Sequence, residues 1–207
     1  MPGTAALPIM TAVTSGRPRT FDETVVLDRA LEVFWRDGYA AASLQTLLEH
    51  MGISRQSLYN TFGDKRRLFL AALDRYIDKR ADEMLAVLEA PGASFPALVA
   101  FFRALGERSG PKSCMVGKSC MELGIDDPEI AARIHRFFER TVEAFCNALG
   151  NAAAKGEIAP SADTAAMARF LTATLHGLGM LARGGAPPEQ LSEVVEIALS
   201  ALRPVQR

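Results

Sequence analysis

The sequence predicts an all-α fold: a three-helix helix-turn-helix unit joined by a long fourth helix to a larger helical body. Three observations predict it. Apolar residues recur at i, i+3, i+4 and i+7 in segment after segment, with no period-two alternation anywhere. Around Gly52 two short helices meet at a tight turn, and the second of them carries little bulk. From Asp64 a single apolar stripe continues to about Ala90, far longer than the segments before it.

In chain order, residues 1–16 lack the cationic start of a signal peptide. They read as a flexible leader, or as an upstream start with Met10 an alternative first residue. Arg17 and Arg19 flank Pro18 directly before the first helix. They read either as an extended arm reaching a phosphate or the adjacent minor groove, or as an ordinary polar tail. The head is expected over 17–66 and the body over 67–207.

The first helix is expected from Glu23 to Asp37. Asp22 is its N-cap, Phe21 and Val26 occupy hydrophobic-staple positions, and Gly38 ends it. Val26, Ala30, Val33 and Phe34 form its buried stripe, while Trp35 and Tyr39 are expected to pack on the second and fourth helices. In the second helix Ser43 caps the stripe Leu44, Leu47, Leu48 and Met51. Gly52 then supplies a left-handed turn, the conformation glycine adopts without strain. His50 is expected to be exposed and unpartnered.

Ser54 caps a third helix, Arg55 to Phe62, in which only Leu58 and Tyr59 have bulk before Phe62. Short hydroxyl and amide side chains fill the rest, a set that hydrogen-bonds base edges and phosphates and that a structural surface helix seldom carries. The fourth helix opens with Asp64 as cap and then Lys65, Arg66 and Arg67. Cations there oppose the positive end of the helix dipole at a cost of about 0.3–1 kcal/mol each, so an external anion is implied. Lys65 is assigned to phosphate, and Arg66 and Arg67 to solvent.

Five more helices follow: Phe95 to Ser109, Ser113 to Leu123, a helix opened by Asp127-Pro128 and running to about Lys155, Ser161 to Arg183, and Pro188 to Leu202. The last two carry apolar residues over broad arcs, more than one core needs. Pairing them with their mates across a two-fold axis gives a four-helix bundle, and hence a homodimer. The alternative is that they wrap the monomer's own core.

Composition excludes several classes. The net charge is −1, so affinity for a polyanion must come from a local patch. Residues 1–80 hold 11 Lys and Arg against 9 Asp and Glu, and the remainder 12 against 15, an asymmetry of the sign a nucleic-acid-reading N-terminus needs. Three cysteines, Cys114, Cys120 and Cys146, form no CxxC pair, which argues against a disulfide framework. No segment is long and apolar enough to span a membrane, and the expected location is the cytoplasm. Gly117-Lys118-Ser119 ends like a phosphate loop, but Lys112 stands where the earlier glycine is required. No catalytic or metal-binding spacing occurs and no cofactor is expected; His135 and His176 read as packed core residues.

The run GYAAASLQTLLEHMGISRQSLYNTFGDKRRLF, Gly38 to Phe69, resembles the DNA-binding domain of the tetracycline-repressor (TetR) family. The aromatic after the helix-ending glycine, the Gly-Ile-Ser turn, and Leu-Tyr followed by Phe-Gly-Asp-Lys carry the resemblance. Thr61, where many members have His, and Ala42 depart from the pattern. The resemblance implies a homodimeric regulator, most often a repressor, that reads a palindromic operator in double-stranded DNA and releases it when an inducer binds the body. Gln45, Arg55, Gln56, Ser57 and Asn60 are the candidates for base contacts. Ser43, Tyr59, Thr61 and Lys65 are those for phosphate, with Arg17 and Arg19 on the arm.

The inducer site is expected in the body, among Phe102, Cys114, Met115, Lys118, Cys120, Met121, Phe137 and His176, with Phe101, Phe138, Phe145 and Met180 as further apolar candidates. Cys114 and Lys118 share a helix face at i, i+4, where an ammonium lowers a thiol pKa, so thiol modification is a second input to consider. An enzyme of helical fold and a DNA-binding protein without an inducer are the alternative classes.

Overall fold

A computed structural model describes residues 21–107, 114–124, 126–159 and 163–203. Arg17, Arg19 and the leader, the Gly110-Pro111 break, Ser113 and Ser161 lie outside the described residues. Among those described there are nine α-helices and no strand: α1 Glu23–Asp37, α2 Leu44–Met51, α3 Arg55–Phe62, α4 Lys65–Glu89, α5 Phe95–Glu107, α6 Met115–Leu123, α7 Pro128–Ala154, α8 Thr164–Arg183 and α9 Pro188–Ser200.

The first four helices start and stop where their caps predict. Asp22 accepts the N–H groups of Thr24 and Val25, Ser43 that of Thr46, Ser54 that of Ser57 and Asp64 that of Arg67. Gly52 closes α2 in the left-handed region at φ 69°. Later boundaries shift inward. α6 begins only at Met115, with Cys114 as its cap residue, because Cys offers no capping oxygen. Asp163, whose carboxylate accepts the Ala166 N–H, starts α8 three residues later than expected, and α9 stops at Ser200 rather than Leu202.

The core runs continuously from head to body. Val26, Ala30, Val33 and Phe34 of α1 pack with Leu47 and Met51 of α2, Leu58 of α3, and Leu68, Phe69, Leu73 and Tyr76 of α4. Both Trp35 and Tyr39 pack on α4: Trp35 lies edge-on to Tyr76 at 5.3 Å and Tyr39 meets Phe69 at 5.0 Å. Within the body, Phe101, Phe102 and Phe145 interlock at centroid distances of 5.2–5.8 Å.

α4 spans 25 residues, about 37 Å at 1.5 Å per residue. Arginine–carboxylate pairs tie it to its neighbours along that length. Arg75 forks Asp28 of α1, with the Nη2 bond at 2.6 Å. Arg133 of α7 reaches Asp74 at 2.8 Å, and Arg140 of α7 binds Glu89 at 2.9 Å and Asp82 at 2.7 Å. Arg66 forks Asp127, the N-cap of α7, at 2.9 and 2.8 Å, and reaches Glu129 at 2.6 Å. This corrects the assignment of Arg66 to solvent: the anion that offsets this cation at the α4 dipole is supplied by the protein itself. Arg67 is largely exposed beside Asp64.

Two histidines also depart from expectation. His50 pairs with Glu32 at 2.9 Å across α1 and α2. His135 is a surface residue, 71% exposed, beside Glu139 at i+4 and not a core residue. No helix of the described residues is long and apolar enough to cross a membrane.

Candidate nucleic-acid interface and cavity

The outward face of α3 follows from how few of its residues are anchored. Leu58 is fully buried, and Phe62 with the preceding Ile53 is half-buried against the same core. That leaves Arg55, Gln56, Tyr59 and Asn60 exposed, with Tyr59 showing 44% of its surface. The Gln56 amide donates to Asn60 Oδ1 at 2.9 Å, so the two exposed amides are joined one turn apart. Ser57 and Thr61 are half-buried on the flank. From α2, Gln45 lies exposed and donates to Glu49 at 2.9 Å. The Ser43 hydroxyl is engaged with Thr46, through its N–H at 3.0 Å and its Oγ1 at 2.7 Å.

Lys65 does not project freely. Its Nζ sits 4.6 Å from the centroid of the Tyr39 ring. Burial lowers its pKa, with the Glu122 carboxylate acting in the opposite direction.

Behind the head lies a cavity of about 1460 Å³, larger than the usual 300–1,000 Å³ of a small-molecule site (roughly), and open at one side. Phe102, Cys114, Lys118, Cys120, Met121, Phe137 and His176 line it, but Met115 does not. Met115 is packed into the core at 1% exposure because it faces inward from the first turn of α6. Phe101 and Phe145 also serve the core, whereas Phe138 and Met180 line the space. Trp35, Tyr76, Arg80, Met84 and Arg103 line it too and were not anticipated. Periodicity places Tyr76 and Met84 on the inward stripe of α4 but is silent on which inward-facing residues border a void, and it does not select Arg103, which is exposed.

Three polar features of the wall are chemically distinct. Tyr76 approaches the Cys114 side chain and the Met115 backbone, and its burial pushes the phenol well above its ordinary range. His176 stands edge-on to Phe138 at 4.7 Å; its Nε2 is buried without a hydrogen-bond partner, and burial lowers its pKa. Lys118 donates to the Arg36 carbonyl at 2.9 Å. That contact directs the ammonium at the end of α1. All three cysteines are free; Cys120 is exposed, and burial pushes the Cys146 thiol up.

α6 thus touches the head directly. One helical turn beyond Lys118, Glu122 accepts the backbone N–H groups of Tyr39 at 3.0 Å and Ala40 at 2.6 Å. Gly38 makes room for it: the backbone there is at φ 88°, and a Cβ would lie 2.7 Å from Glu122 Oε2. A carboxylate from the body therefore caps the α1–α2 turn of the head. Among the described residues no group of His, Cys, Asp and Glu is arranged to hold a metal.

This chain is similar to known transcriptional regulators. The family described as "Bacterial regulatory proteins, tetR family" matches residues 26–72, and that described as "Tetracyclin repressor-like, C-terminal domain" matches residues 95–197. The HTH-type transcriptional regulator YezE of Bacillus subtilis (strain 168) is 38% identical over 192 residues, spanning 90% of this chain and 99% of that protein. The HTH-type transcriptional repressor ComR of Escherichia coli (strain K12) is 36% identical, spanning 89% and 90%. Among solved structures, a cysteine mutant of the TetR family transcriptional regulator CifR, complexed with 26bp double-strand operator DNA, superposes with a TM-score of 0.80 at 30% identity, covering 91% of this chain and 100% of that one.

Proposed function

Since this chain belongs to the tetR family of bacterial regulatory proteins, we propose that it acts as a homodimeric repressor whose two α3 helices read a palindromic operator. One observation carries the reading: α3 is anchored through Leu58 while Arg55, Gln56, Tyr59 and Asn60 stand outward. Gln45, Arg55, Gln56, Ser57 and Asn60 supply base contacts. Ser43, Tyr59, Thr61 and Lys65 supply phosphate contacts, and Arg17 and Arg19, outside the described residues, are further candidates for DNA contact. The similar regulator CifR was solved on operator DNA, which supports the reading of this chain as a DNA-binding regulator.

The chain is a regulator, the role that the names of its relatives carry. Its input enters through the cavity, as a small organic inducer or as modification of Cys120, the exposed cysteine on the wall. Either acts by favouring the state that does not bind DNA, and that difference in affinity is the whole of the coupling. Dimerisation uses α8 and α9, where Phe170, Met180, Leu181, Val194 and Ile197 are exposed on the monomer. Apolar side chains left bare on two helices that pack on each other mark a surface suited to a second protein.

The test is selection of genomic fragments by purified protein, followed by affinity measurement on the recovered site and on random duplex. A two-fold-symmetric site bound at least about a thousandfold tighter than random DNA is the expected result. Equal affinity for both overturns sequence-specific repression.

A further inference from the structure

Among the described residues the cavity wall carries charge of both signs, Arg80, Arg103, Lys118 and Arg183 with Asp37, Glu122 and Glu196; of the cations, Arg80 pairs with Glu83 at 3.3 Å. Two of those acids are already engaged within the protein. Asp37 is held in the Arg36 fork at 2.7 and 2.8 Å, and Glu122 spends both oxygens on the Tyr39 and Ala40 N–H groups. Lys118, half-buried between them, donates to a neutral carbonyl.

We propose that the ligand of this cavity is an apolar organic acid whose carboxylate is received by Lys118, at the joint between body and head, with its hydrocarbon or aryl body among Met84, Phe102, Phe138 and Leu175. The inference rests on reading the cavity as the inducer site. A carboxylate–ammonium bond is roughly twice as strong as one between neutral groups, and more so where water is displaced. Burial and the nearby Arg183 charge lower the Lys118 pKa, against support from Glu122 and Asp37. An incoming anion relieves that strain on the charged form, whereas a neutral molecule of the same shape does not. The cavity lining taken as a whole is mainly apolar, so a small inorganic anion at Lys118 leaves most of the space unfilled.

Trp35 is the single tryptophan of the chain and lies in the cavity wall, so its fluorescence reports occupancy. The experiment titrates the full-length protein with phenylbutyrate and with its neutral isostere phenylbutyramide, and with decanoate and decanamide, using Nile red as a neutral probe of the cavity. Each acid is expected to bind at least about tenfold tighter than its amide. In Lys118→Met that preference disappears while Nile red binding persists, and in Lys118→Arg the preference is retained. An amide that binds as tightly as its acid, or an acid preference that survives Lys118→Met, overturns the inference and leaves the cavity reading in place. Should Nile red and all four ligands fail to bind, the cavity reading itself falls.

Discussion

Glu122 Oε1 accepts the backbone N–H of Ala40 at 2.6 Å, across 82 residues of sequence. With the Tyr39 N–H on its other oxygen at 3.0 Å, one side chain of the body satisfies two donors of the head that no helix serves. Lys118 fixes the end of α1 from the same helix face. α4, in contrast, is tied to α1 and α7 by arginine forks at several points along its length.

Removing that cap leaves two donors open to water. Glu122→Ala is expected to speed amide hydrogen exchange at Tyr39 and Ala40 by about tenfold or more, since hydrogen bonds to a charged group are worth about 1.5–3 kcal/mol. Exchange in α7 remains unchanged. Unaltered exchange at both residues would falsify the cap.

Gly38 is the steric counterpart of Glu122. Gly38→Ala places a side chain at φ 88° and a Cβ 2.7 Å from Glu122 Oε2, for an expected loss of about 1–3 kcal/mol in denaturant unfolding. Adding Glu122→Ala removes the clash but not the backbone strain. The double variant is therefore expected to lose less than the sum of the two; strict additivity would place the two residues apart.

The two classes of DNA contact separate by salt. Lys65→Ala is expected to weaken binding to operator and random duplex alike, and to flatten the salt slope by about one. Gln56→Ala is expected to relax preference at one base pair by about 1–3 kcal/mol. Asn60→Ala should shift the same position, because the two amides hold each other. Matched losses on both DNAs for all three variants contradict this division.

Exposed apolar residues on α8 and α9 predict the assembly. Ile197, 69% exposed, is the probe: Ile197→Glu is expected to sediment as a folded monomer with operator affinity reduced by at least about a hundredfold, since the second half-site is lost. A dimer that persists unchanged excludes α9 from the interface.

His176 makes stability depend on pH. Burial lowers its pKa from the ordinary 6.5, so the folded state holds it neutral while the unfolded chain protonates it near that value. The unfolded state then binds more protons, and stability falls as pH drops below the unfolded value, levelling off under the folded one. The slope is at most about 1.4 kcal/mol per pH unit. Above the ordinary value the residue contributes no slope. His176→Phe is expected to flatten the melting-temperature profile between neutral pH and mildly acidic pH; the lowered carboxylates Asp28, Asp37 and Asp127 act only further down. A profile of unchanged slope would show that the imidazole is equally protonated in both states.

What the sequence alone determined is local. Caps at Asp22, Ser43, Ser54 and Asp64, the glycine at Gly52 and the apolar stripes of α1 to α4 are set by neighbours within one helical turn, and the head agrees with them nearly residue for residue. The polar face of α3 was legible for the same reason: with Leu58 its one fully buried residue, the helix leaves Arg55, Gln56, Tyr59 and Asn60 outward.

Tertiary structure alone decided which distant groups meet. Arg66 looked solvated because Asp127 is 61 residues away, and His50 looked unpartnered because Glu32 lies on another helix. Trp35, Tyr76 and Arg80 border the cavity, while Met115 is sealed in the core, through the relative rotation of whole helices. Periodicity assigns a residue to a face of its own helix; what that face meets depends on packing between helices, which spacing along the chain does not encode.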